Sequence, residues 1–145
     1  MKPKVAPMRK PFEQELHDKY DAIAKSAVGQ YIEKTCGLRV EPNEDQYGVD
    51  LLLLRNDKLI GYAEVEVRQW SPNCPYATIH VPERKTKFFG DRVLFFALTK
   101  DIKSVYWIET NKISEHPLRE ISNYKVASGE MFYDVPTELF GFVEL

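Results

Sequence analysis

Residues 49–68 read VDLLLLRNDKLIGYAEVEVR, and the fold turns on how this stretch is read. The run Leu51 to Leu54 is too apolar for a solvated edge, so Tyr47–Arg55 is expected to be a strand inside a sheet. Asn56-Asp57-Lys58 supplies a tight connection into a further strand, Leu59–Gln69. That strand alternates, with Tyr62, Glu64, Glu66 and Arg68 on one face and Ala63, Val65 and Val67 on the other. One face is apolar and one is ionised.

Pairing the two strands as a hairpin through Arg55–Lys58 leaves Asp50 beyond the far end of the ladder, near the level of Glu64. Glu64 and Glu66 share a face, about 7 Å apart along the strand. Three acids are therefore expected to converge. Like charges opposed on a sheet destabilise it, so such a cluster is either spread into water or neutralised by a cation. Hard divalent metals such as Mg²⁺ take oxygen ligands of this kind.

Upstream, Phe12–Cys36 reads as a helix: Phe12, Leu16, Tyr20, Ile23, Ala27 and Tyr31 recur every three or four residues, and Gly37 follows as a left-handed cap. Glu13 falls inside that arc, either as a helix-start acid favoured by the macrodipole or as part of a site. Pro3, Pro7 and Pro11, interleaved with Lys2, Lys4, Arg9 and Lys10, make residues 1–11 an extended basic arm ahead of a single domain over 12–145. Leu38–Glu41 is a first strand. Downstream, Ser71–Pro75 is a loop and Ala77–Val81 is extended. Pro82–Phe89 reads as two turns of helix ending at Gly90, with Lys85 among the apolar Val81, Phe88 and Phe89 while Lys87 points outward. Lys85 either snorkels or meets an anionic partner. Arg92–Thr99 and Ser104–Thr110 are further strands, and the tail from Lys112 wraps the sheet with strands around Met131–Val135 and Phe140–Val143. Trp107 reads as core; Trp70 either packs or stacks on a base.

The 145 residues carry 20 Lys+Arg against 22 Asp+Glu, a net charge of -2, with 43% hydrophobic residues. That profile excludes disorder and a generic sponge for nucleic acid, so any such contact is local. Cys36 and Cys74 lack zinc spacing and fit a reducing compartment, and no apolar run approaches a membrane span, which together point to the cytoplasm. His17, His80 and His116 are scattered, and no GxGxxG or P-loop sequence is present, which argues against nucleotide cofactors.

From about Phe12 to Thr99 these elements resemble the PD-(D/E)XK nucleases. Tyr47-Gly48-Val49-Asp50 matches the strand carrying that family's first acid, and Glu64-Val65-Glu66 matches its acid-x-lysine triplet after a gap of 13 residues. Glu13 fills the place of a frequent helix glutamate. Val49 stands where the family's name has proline, and Glu66 stands where it has lysine. Some restriction-type members carry glutamate there and cleave; in others the lysine has moved to the neighbouring helix, the place Lys85 takes in His80-Val81-Pro82-Glu83-Arg84-Lys85.

The resemblance implies an α/β (α+β) fold with a restriction-endonuclease-like core: a helix, a three-stranded meander, a second helix and further strands in a mixed sheet. It implies a Mg²⁺- or Mn²⁺-dependent endonuclease acting on DNA, by nicking or structure-directed cutting. Asp50, Glu64 and the Val65 carbonyl would hold the metal, Glu66 would position or deprotonate the attacking water, and Lys85 would offset charge on the phosphate. Arg84, Lys87, Arg92 and Lys10 would contact the backbone, and a homodimer would cut two strands. The same resemblance leaves room for a catalytically inactive nucleic-acid-binding or assembly module, with Glu66 marking a dead site.

Overall fold

Strands β2 (Leu51–Arg55) and β3 (Lys58–Val67) form the hairpin, and Asn56 and Asp57 turn it with φ of 51° and 64°. Both values are positive, as a tight turn matching the twist of its strands requires. The computed structural model describes residues 11–45, 48–123 and 126–145, with the side chains of 11–18, 84 and 121–129 outside the description. Helix α1 (Pro11–Cys36) precedes β1 (Arg39–Pro42), and Gly37, at φ 68°, caps it by donating its N–H to the Glu33 carbonyl at 3.1 Å. After the hairpin come β4 (Thr78–Pro82), β5 (Val93–Leu98), β6 (Ser104–Glu109), β7 (Leu118–Asn123), β8 (Val126–Pro136) and β9 (Gly141–Glu144).

The result is a mixed α+β fold with two sheets. The larger runs β1-β2-β3-β5-β6-β9, all antiparallel except the parallel β3–β5 pair, and the smaller runs β4-β8-β7. One face of the large sheet buries Ala63, Val65, Phe96, Leu98 and Val105 against Ala24, Val28 and Ile32 of α1. The opposite face packs Phe95, Ala97, Tyr106 and Ile108 against Ile79 and Val81 of β4 and Tyr133 and Val135 of β8. Each fully buried large side chain contributes roughly 1.5–3 kcal/mol, so both interfaces are needed to hold the sheet. The large sheet therefore has core on both sides, and the ionised face of β3 looks toward the small sheet. No helix among the described residues is long and apolar enough to cross a membrane.

Some expectations change, and the open reading of Trp70 is decided. The buried arc of α1 is Ala24, Val28 and Ile32, whereas Tyr20 and Ile23 are 42% and 45% exposed. The small Ala24, with Gly29 buried beside β1, lets helix and sheet approach closely, a gain that counting large apolar residues misses. The second helix is a six-residue 3-10 segment, Glu83–Phe88, following directly from β4. Pro82 ends the strand in extended geometry and leaves too short a stretch for an α-helix. Of the two tail strands expected, the second joins the large sheet as β9, while β8, with an added strand β7 and with β4, builds a second sheet packed on the face of the first. Trp70 is buried, edge-on to Tyr106 with ring centroids 5.8 Å apart, so it is core and not a stacking platform. Residues 1–10, 46, 47, 124 and 125 lie outside the described residues, and with them the basic arm and Tyr47. The second strand, expected over Tyr47–Arg55, begins only at Leu51, because residues 48–50 pair through Asn43 and side chains instead of the ladder.

Candidate active site

The β2–β3 ladder pairs Leu51 with Ala63, so the next step outward brings Asp50 level with Glu64. Asp50 finishes the ladder with its side chain. Its N–H donates to Glu64 Oε1 at 3.1 Å, and its Oδ2 accepts the Val65 N–H at 2.8 Å. Asn43 fixes the segment that delivers it, donating from Nδ2 to the Val49 carbonyl at 2.9 Å and from its backbone to the Asp50 carbonyl at 3.0 Å.

Two lysines complete the arrangement. Lys85 Nζ, from the 3-10 segment, lies 3.1 Å from Glu64 Oε2, and Lys25 Nζ, from α1, lies 3.3 Å from Asp50 Oδ1 and 2.8 Å from Asp21 Oδ2. The chain of charges runs Asp21, Lys25, Asp50, Glu64 and Lys85, with the Asp50 and Glu64 carboxylates adjacent between the two lysines. Lys25 and Asp21 are the residues that sequence reasoning missed. Their i, i+4 spacing is an ordinary helix ion pair, and only the corrected phase of α1 places it beside Asp50.

The electrostatics follow from burial. Glu64 has a side chain only 5% exposed, and burial first, then the Asp50 charge, push its pKa up from 4.5 to about 7, while Lys85 pulls the other way. Burial lowers the Lys25 ammonium, but the hydrogen bonds and charges of Asp21 and Asp50 outweigh it and leave the group above its ordinary value. A raised acid favours the protonated folded state. The contribution of Glu64 is therefore fully present below pH 4.5 and is lost as pH rises through about 7. Thermal unfolding in chelator is expected to show a loss on the order of 2 kcal/mol across this window, and Glu64→Gln is expected to flatten it. An unchanged slope in that variant would contradict the assignment.

Glu66 does not join the other two acids. Arg68, two residues on along the same face, brings Nε to 2.5 Å from Glu66 Oε1, close for an ion pair though the N–H is not aimed along a hydrogen bond. The same guanidinium donates from Nη2 to the His80 carbonyl of β4 at 2.7 Å and lies 5.5 Å from the Trp70 ring centroid. The expected convergence of three acids is thus corrected to a pair, because Arg68 competes for the third. Among the described residues, no group of three or more His, Cys, Asp or Glu side chains forms a metal cage.

The pair still fits a hard cation. Mg²⁺ is commonly held by one or two carboxylates with water completing its shell. Here two carboxylates sit together, one driven toward protonation partly by the charge of the other, which is a donor set that a divalent ion relieves. Val65 directs its N–H toward Asp50, and in an extended strand its carbonyl faces the same side.

Beside the pair lies a cleft of about 440 Å³, lined by Asn43, Gly48 and Val49 on one side and by Lys87, Phe88 and Arg92 on the other. Lys87 and Arg92 are exposed there. Arg92 is carried to β3 by its backbone: the Tyr62 N–H donates to its carbonyl at 2.8 Å, and Gly61 permits this, since a Cβ there would meet that oxygen at 2.9 Å. Lys85 and Lys87 hold their ammonium groups 5.7 and 5.0 Å from the Phe88 ring centroid. The side chains of Glu13 and Arg84, and Lys10 entirely, lie outside the described residues.

No protein-family model matches this sequence, and no curated protein matches it either. Among solved structures, a nuclease from a fusselovirus aligns over 95% of this chain and 89% of its own, at 14% identity and a TM-score of 0.46. At that level the likeness says nothing about chemistry, which rests on the residues themselves.

Proposed function

We propose that the protein is a metal-dependent nuclease hydrolysing phosphodiester bonds, with DNA as its substrate. The observation that carries this reading is the Asp50–Glu64 carboxylate pair at the end of the hairpin, with the Lys85 ammonium 3.1 Å from one of its oxygens. Asp50, Glu64 and the Val65 carbonyl are the residues that would hold Mg²⁺ or Mn²⁺. Such an ion, when bound, polarises phosphoryl oxygens and lowers the pKa of its water. Lys85 supplies a fixed cation where negative charge accumulates on the phosphate. Lys87 and Arg92, and by their place in the chain Arg84 and Lys10, contact the backbone without reading sequence. Glu66 positions or deprotonates water, and Arg68 balances its charge. A single site of this kind cuts one strand, so cutting two takes a homodimer.

One observation favours a second reading. Arg68 engages Glu66, which withdraws a free base from the site, as in an inactive binding module of the same fold. Incubation of the purified protein with plasmid, single-stranded and branched DNA in Mg²⁺ or Mn²⁺ separates the two. Cleavage that chelator abolishes supports the nuclease. Binding without cleavage, in wild type and in Glu66→Lys alike, supports the module.

A further inference from the structure

Resting on the nuclease reading of the Asp50–Glu64 pair, we infer that the cleft between α1 and β1 is a base-binding subsite for one unpaired nucleotide beside the scissile phosphate. The cleft has a volume of about 410 Å³ and opens next to Asp50, since its wall includes Lys25, the partner of Asp50, and Leu51, the following residue. That volume lies inside the roughly 300–1,000 Å³ usual for small organic ligands.

The lining suits a neutral, hydrogen-bonding occupant. Val40 and Pro42 give apolar walls, and Gly29 packs directly on Val40, where a Cβ would meet Cγ1 at 3.3 Å, which closes the cleft on the side of the sheet. Ser26 and Gln30 bring a hydroxyl and an amide to the helix side, 3.3 Å from one another and both on exposed residues, so they can turn toward a base edge. The two charges lining the cleft are committed elsewhere: Lys25 to Asp21 and Asp50, and Glu33 to the Val40 N–H at 3.0 Å. With no uncommitted cation in the lining, the cleft suits a nucleobase and not a phosphate.

The cleft on the other side of the segment carrying Asp50 has the opposite character. Pro42 and Leu51 face the α1–β1 cleft, while Asn43, Gly48 and Val49 face the cleft that holds Lys87 and Arg92. A strand crossing at Asp50 thus finds cations for its phosphates on one side and an apolar, amide-bearing slot for a base on the other. A base reaches a cleft lying to the side of the strand only when it is out of its pair, which makes a strand with an unpaired nucleotide at the cut the preferred substrate.

Single-turnover cleavage in Mg²⁺ of three DNA duplexes tests this: one fully paired, one with a single unpaired nucleotide, and one with an abasic residue in its place. Wild type is expected to cut the unpaired duplex about tenfold faster than the abasic one, as apolar burial and one or two hydrogen bonds to the base would give. Ser26→Trp, which fills the cleft from an exposed helix position, is expected to erase that ratio, and Gln30→Ala to reduce it, with thermal unfolding used to confirm that both variants are folded. Equal rates on unpaired and abasic duplexes, or a ratio that survives Ser26→Trp, overturn the subsite and leave the nuclease reading standing. No cleavage of any duplex removes the nuclease reading and the subsite with it.

Discussion

Asp50→Asn and Glu64→Gln are each expected to abolish divalent-ion-dependent cleavage, a loss of roughly 10³-fold or more, without loss of metal-free stability. Both substitutions keep the backbone hydrogen bonds and give up an ammonium contact, Lys25 for Asp50 and Lys85 for Glu64. An Asn oxygen still accepts from the Val65 N–H, and a Gln oxygen still accepts from the Asp50 N–H, so the end of the hairpin stays closed. What each removes is a negative charge from a pair whose members repel one another. Losing the charge relieves the metal-free fold and cripples any cation site, so stability and activity move in opposite directions. Cleavage retained in both variants would remove the assigned site.

Lys85→Met is expected to lower the rate at saturating substrate by roughly 10²–10³-fold, and Lys87→Met to weaken binding with little effect on that rate. The two lysines are two residues apart on one short 3-10 segment, but only Lys85 reaches Glu64; Lys87 lies in the open cleft. The Lys87 variant should also make binding less sensitive to salt, by about one counterion for the phosphate that this lysine neutralises. Rate measurements over a range of salt concentrations distinguish these outcomes, and equal effects on rate and binding in both variants would mean that neither lysine is specific to the phosphate.

The hairpin was legible because its signals are local: an apolar run, an Asn-Asp turn and alternation bring Asp50 near Glu64, although a one-residue shift between Leu53 and Leu54, which leaves no mark in the alternation, is what sets the two level. The inward lean of Lys85 was legible too, through its apolar neighbours, even though the segment is 3-10 instead of α. Lys25 was not, because small residues set the face of α1 and the largest apolar side chains point away. Nor was the diversion of Glu66. Alternation puts Glu64, Glu66 and Arg68 on one face, but which acid the arginine takes depends on the His80 carbonyl, delivered by a strand of the other sheet. That contact is long-range and leaves no periodic trace in the chain.

The most direct test of the central claim is a calorimetric titration of Mn²⁺ into the metal-free protein and into Asp50→Asn at neutral pH. The carboxylate-pair site predicts saturable binding to the wild type, with protons released because Glu64 must lose its own, and no saturable binding to the variant. Equal binding by both proteins, or none by the wild type, would contradict it.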